Sequence, residues 1–213
     1  MTIQENTSLA FQLFEEQKLK ESVKMYEKIF ESVLTNEEEI KVRFGYGYPL
    51  SALGHETKAI ENYSKLKELG EVTNNREVIS QSLHQLGMVY RQSKHYQKAL
   101  EKFNEEREMI ETYFRNHNLF KAANDYELGY TNLLLKNYSE ALKYLEKSLK
   151  ESIKSKDSIM IACAYRGLGE YYSSQSNIDL AETYFNKSIH SFKDASDEIG
   201  IEEVKELKMS LRR

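Results

Sequence analysis

Turn-forming residues are scarce in this chain, with nine glycines and one proline in 213 residues. That is well under half of the roughly 12% that average usage would give. A sandwich, a barrel or a βαβ array needs a turn-maker at each chain reversal, so all three are excluded and long helices with short connections remain. Cys163 is the lone cysteine, which leaves no intramolecular disulfide and no Cys₄ or Cys₂His₂ zinc site. No long apolar run is present and mean hydropathy is −0.67, so no membrane span is expected. Thirty Lys+Arg against thirty-four Asp+Glu give a net charge of −4 with the two signs interleaved, so no basic footprint marks a nucleic-acid partner. The opening residues, MTIQENTSLAFQLFEEQ, carry acids where a secretory leader needs a basic start and an apolar core, so a cytoplasmic chain is expected.

What the chain does have is a repeat. Leu83-x₂-Leu86-Gly87-x₂-Tyr90 followed by Ala99-x₃-Phe103 recurs as Tyr165-x₂-Leu168-Gly169-x₂-Tyr172 followed by Ala181-x₃-Phe185. Weaker copies hold the same frame at Leu9-Ala10 with Ser22, Tyr46-Gly47 with Ala59, and Leu128-Gly129 with Ala141. In all five copies the first anchor precedes the second by 13 residues. That spacing suits a helix A that turns back on a helix B. The small residue of A (Ala10, Gly47, Gly87, Gly129, Gly169) is expected to meet the small residue of B (Ser22, Ala59, Ala99, Ala141, Ala181), while large residues such as Tyr90, Phe103, Tyr172 and Phe185 fill the layer between repeats. Second anchors are 37, 40, 42 and 40 residues apart, and the unbroken segments 99–115 and 141–155 predict helix B of four turns or more. Ile201, Val204, Leu207 and Leu211 form one stripe, with Glu202 and Glu203 early and Arg212 and Arg213 late, which predicts a capping helix from about Asp197.

These motifs resemble those of tetratricopeptide repeat proteins. The resemblance implies an all-α, right-handed superhelical solenoid of about five helix pairs and a C-terminal cap. The chain reads as a single array over 1–213, with repeats near 3–36, 40–75, 80–116, 122–157 and 162–194 and the capping helix at 197–211. Most members are non-enzymatic scaffolds that bind a protein or peptide segment in a concave groove lined by helix A. Repeats near forty residues also resemble those of peptide-sensing regulators of Gram-positive bacteria, whose superhelix would change shape on binding. Those regulators usually add an N-terminal effector, for which no room is left before the first repeat.

The frame also projects a groove. Positions two before and one after the anchor pair, plus the next turn, place Phe44, Tyr48, His84, Met88, Arg91, Tyr126, Tyr130, Arg166 and Glu170 on it. Aromatic, methionine and arginine side chains suit a peptide-binding surface. The carboxylate clamp of chaperone-tail-binding members needs Lys and Asn where this chain has Thr7 and Phe11, so that ligand is not expected. Pro49 falls inside the second helix A and predicts a kink, with either a widened aromatic pocket at Phe44, Tyr46 and Tyr48 or a tolerated bend. His84, His95 and His117 have no pairing that suits a metal, and Cys163 reads as a reduced packing thiol, although it could face the groove. No P-loop, G-x-S-x-G or G-x-G-x-x-G is present. Neither an enzyme nor a cofactor is expected.

Overall fold

The computed structural model of the chain describes residues 2–211, which form eleven helices with no strand among the described residues. These are α1 (Ile3–Glu15), α2 (Leu19–Ile29), α3 (Asn36–Ala52), α4 (Glu56–Val72), α5 (Arg76–Gln92), α6 (Tyr96–Tyr113), α7 (Asn118–Leu134), α8 (Tyr138–Ser155), α9 (Ser158–Ser174), α10 (Ile178–Asp194) and α11 (Glu198–Ser210). Helices pack on their chain neighbours, α1 on α2, α3 on α4, α7 on α8 and α9 on α10. They group into two compact units, Met1–Glu106 and Arg107–Arg213, with the boundary inside α6.

Helices α3, α5, α7 and α9 begin one turn ahead of the expected repeat starts. The cause is local. Thr35, Asn75, His117 and Asp157 each accept a backbone N–H three residues on, so each caps its helix earlier than the apolar periodicity indicates. Thr35 and Glu38 complete a reciprocal capping box, as do Thr2 and Glu5. Helices α6 and α8 have 18 residues each, as the long-B reading requires. Asp197 caps α11, whose Ile201 and Val204 are buried with Phe185 and Phe192, so this helix does cover the end of the second unit. Arg212 and Arg213 lie outside the described residues.

The inter-helix turns explain how so little glycine suffices. Gln17, Asn74, Lys94, Lys136, Lys156, Ser176 and Ser196 all take positive φ at helix ends, and Gly54 is the one glycine that does so among the described residues. Left-handed geometry costs an L-residue roughly 1–2 kcal/mol, and helix packing on both sides overrides that cost here.

The helix-pair interface differs from the expected small-on-small contact. A Cβ added to Gly47 would lie 2.1 Å from Tyr63, and Cβ atoms at Gly87 and Gly169 would lie 2.4 and 2.5 Å from Phe103 and Phe185. The large residue one turn beyond the small B anchor therefore seats on the helix-A glycine of its own repeat rather than filling the layer between repeats. Where helix A carries Ala10 instead, Tyr26 reaches on to Gly45 of the next helix A, whose added Cβ would meet its hydroxyl at 2.1 Å. Only the first pair is small on small, and there Ser22 Oγ donates to the Ala10 carbonyl at 2.7 Å. Buried Ser148 and Ser188 make equivalent bonds to Ala122 and Ala162. Each tie satisfies a buried hydroxyl and pins one helix to its partner.

Candidate binding faces

In the first unit, the side of α1 and α3 that carries Phe44 and Tyr48 forms a cleft of about 750 Å³. Ile3, Thr7 and Phe11 wall it from α1, Phe44 and Tyr48 from α3, and Gly45 and Tyr26 lie at its floor. Phe11, Phe14 and Tyr48 form an aromatic cluster, with Phe14 and Tyr48 stacked at 5.7 Å between ring centroids. Phe44 and Tyr48 are half-buried and Phe11 is exposed, so a wet aromatic wall stands over a dry floor. Burial raises the Tyr48 phenol above its ordinary value, and burial raises Tyr26 further, so both stay protonated at neutral pH. The Tyr26 hydroxyl is buried without a hydrogen-bond partner.

Tyr46 does not belong to that cleft. It points toward α2, is buried, and donates its hydroxyl to Glu27 at 3.1 Å. Successive residues on a helix stand about 100° apart, so Phe44, Tyr46 and Tyr48 cannot all share one face. Pro49 is buried in α3, which continues through it to Ala52. On α5, Met88 and Arg91 are half-buried, but His84 turns toward α6. Its Nδ1 lies 3.1 Å from both carboxylate oxygens of buried Glu106 and its ring meets Phe103 edge-on, so His84 belongs to the contact within its repeat, not to a groove surface.

In the second unit, four expected residues come together. Tyr126 and Tyr130, one turn apart on α7, stack at 5.8 Å with rings nearly parallel. The Tyr130 hydroxyl donates to Glu170 at 3.1 Å, and Arg166 Nε donates to the other oxygen of Glu170 at 3.1 Å. Arg166 Nη1 donates to Glu203 of α11 at 2.7 Å. Burial opposes the Arg166 charge, but Tyr126, Glu170 and Glu203 outweigh it and hold the guanidinium above its ordinary value. Arg166 is therefore a fixed, permanently charged strut across α9 and α11. Gly167 makes room for Tyr126, whose ring carbon would lie 3.1 Å from a Cβ there.

Several contributors escaped the sequence reading. Phe11 and Thr7 sit where the frame places Tyr48 and Phe44, and Phe14 sits where it places Arg91; carrying the groove frame into the first repeat would have found them. Glu203 was read as a charge near a helix start, not as a partner for Arg166. Cys163 packs beside the α9–α11 core, and burial pushes its thiol up to about 11, so it is a packing thiol. His95 bonds Glu56 at 2.8 Å, and His117 caps α7 and stacks on Phe120. Among the described residues, no cluster of His, Cys, Asp or Glu is arranged to hold a metal, and no helix is long and apolar enough to cross a membrane.

Comparison with known proteins places this geometry in a family. The tetratricopeptide repeat model matches residues 120–194. None of the curated proteins compared matches the sequence. Among solved structures, the apo form of RapI superposes with a TM-score of 0.65 at 20% identity, covering 98% of this chain and 84% of its own. A Rap protein complexed with competence and sporulation factor gives 0.67 at 13% identity, covering 99% of this chain and 64% of its own. TTC0263, a thermophilic TPR protein of Thermus thermophilus, gives 0.65 at 16% identity over 99% and 98% of the two chains. At such identities the likeness is one of fold. With its repeated helix pairs, its glycine-seated aromatic anchors and the family match over 120–194, the chain is a tetratricopeptide repeat protein whose fold is shared with Rap proteins.

Proposed function

We propose that the chain is a non-enzymatic interaction protein of the cytoplasm that binds a protein or peptide segment on its helix-A faces, without nucleic acid or membrane as partner. The observation that supports this most is the cleft of about 750 Å³ walled by Phe11, Phe44 and Tyr48. Its size suits one or two apolar side chains, and half-exposed aromatics offer area at low entropic cost, as hot-spot residues do. Polar side chains at its rim, Gln4, Gln12 and Lys41, can meet the main chain of an extended segment. The Tyr126–Tyr130 stack, anchored by Glu170, is a second such surface in the other unit.

A sensor reading has its own support, since folds like this one occur in RapI and in a Rap protein complexed with competence and sporulation factor. On that reading the ligand shifts the chain between shapes and so regulates an effector. Selection of a displayed peptide library against the wild type tests the proposal. Selected segments should lose about 1–3 kcal/mol of binding to Phe44→Ala and Tyr48→Ala, with thermal midpoints little changed. Undiminished affinity in both variants would move the surface elsewhere. A ligand-dependent change in small-angle scattering would favour the sensor over a rigid adaptor.

A further inference from the structure

A second kind of cleft lies in each unit, away from the faces above, and the two copies differ in charge. In the second unit it occupies about 440 Å³ between the C-terminal half of α6, α7 and α8. Its carboxylates are already engaged. Arg107 binds Asp125 and Glu111, each at 3.0 Å, and Glu151 is held by Lys154 at 2.6 Å with its other oxygen buried. Arg115, Lys121, Lys147 and Lys150 line the same cleft, and none has a carboxylate partner among the described residues. Four uncompensated cations therefore gather in one cleft of a chain whose net charge is −4.

The equivalent cleft of the first unit, between α2, α3 and α4, is also about 440 Å³. There Phe30 takes the place of Arg107 and Lys65 that of Lys147, each at the same distance from its B anchor. Arg43 is paired with Glu39 and Lys58 with Glu27, and Glu61 lies on the same wall as Lys65. That cleft is balanced, so the excess in the second unit is not a by-product of the fold.

We propose that the α6–α7–α8 cleft docks an acidic segment of a partner protein, pairing its carboxylates with Arg115, Lys121, Lys147 and Lys150. The cations come from separate elements around a space much larger than one phosphate, which suits several carboxylates along a chain. Nucleic acid fits less well. The one aromatic ring at the cleft's edge, Tyr144, is covered by Arg107, Lys143 and Lys147 at 5.0–5.4 Å, so no base could stack on it, and the surrounding charge is negative. Those cation–π contacts also hold Arg107 and Lys147 in place before any partner arrives.

Fluorescence anisotropy with a labelled hepta-glutamate peptide at low ionic strength tests this, with a hepta-glutamine peptide and a single-stranded oligonucleotide of equal charge as comparison probes. Wild type and Lys65→Glu should bind the glutamate peptide saturably and ignore the glutamine peptide. Lys147→Glu/Lys150→Glu should weaken binding by about tenfold or more, and the milder Lys147→Gln/Lys150→Gln should show the same direction if charge reversal disturbs folding. Absence of binding by the wild type, equal affinity in the folded double variants, or tighter binding of the oligonucleotide would each overturn the proposal.

Discussion

Glycine on helix A acts in this chain as a seat for a large side chain. Gly47→Ala and Gly87→Ala each gain about 1 kcal/mol of helix propensity. They also drive a methyl into fully buried Tyr63 or Phe103. Overpacking costs about 1–3 kcal/mol and more where nothing can yield. Both variants should therefore unfold at lower denaturant concentration than wild type, and a rise in midpoint would show that the ring can move aside. The chain's cysteine offers a second residue-scale check. Burial raises the Cys163 thiol to about 11, against an ordinary value near 8.5. Because the folded value lies above the unfolded one, the neutral thiol's contribution to stability is complete below about pH 8.5 and is lost as pH rises through 11. Maleimide labelling at pH 8 should accordingly be slow and should accelerate in step with unfolding. At this scale the sequence was legible where spacing decided the outcome, at the anchors and at Tyr126, Tyr130, Arg166 and Glu170. It was not legible where a side chain had two neighbours to choose from. His84 found a carboxylate on α6, and Tyr46 found one on α2; nothing in the spacing of helix A reveals what helix B offers at that height.

Helices and turns carry the next set of expectations. The sparse glycine correctly excluded β architecture, yet it concealed the turns, because lysine, serine, asparagine and glutamine adopt left-handed geometry that composition does not reveal. Lys94→Gly and Lys136→Gly, placed at two such turns, should each stabilise the chain by about 1 kcal/mol in a denaturant titration, since the exposed lysines lose no partner. Unchanged midpoints would mean that the strain is absorbed elsewhere. Helix α11 was legible as a cap from its stripe, but its tie to α9 was not. Removing residues 198–213 uncovers Phe192 and frees Arg166 from Glu203. Hydrogen exchange should then quicken in α9 and α10 while α1–α4 keep their protection, since repeat stability passes mainly between neighbours. Unchanged protection in α9 and α10 would show that α11 is not a cap.

On the scale of the whole molecule, the chain keeps the repeat frame but differs from its structural relatives at four residues in five or more. What is common is the seating of B-helix side chains on helix A; what is free to vary is the half-exposed position on the other side of helix A. That division places recognition on the faces holding Phe44 and Tyr48 in one unit and Tyr126 and Tyr130 in the other, and it makes fold likeness silent about the ligand. The most direct measurement is photo-crosslinking of a library-selected segment to the chain carrying benzoylphenylalanine at Tyr48 or at Tyr130, with the exposed B-helix positions Glu68 and Glu146 as controls. The segment should crosslink from Tyr48 or Tyr130 and not from Glu68 or Glu146. Crosslinking from the B-helix positions alone would contradict binding on the helix-A faces.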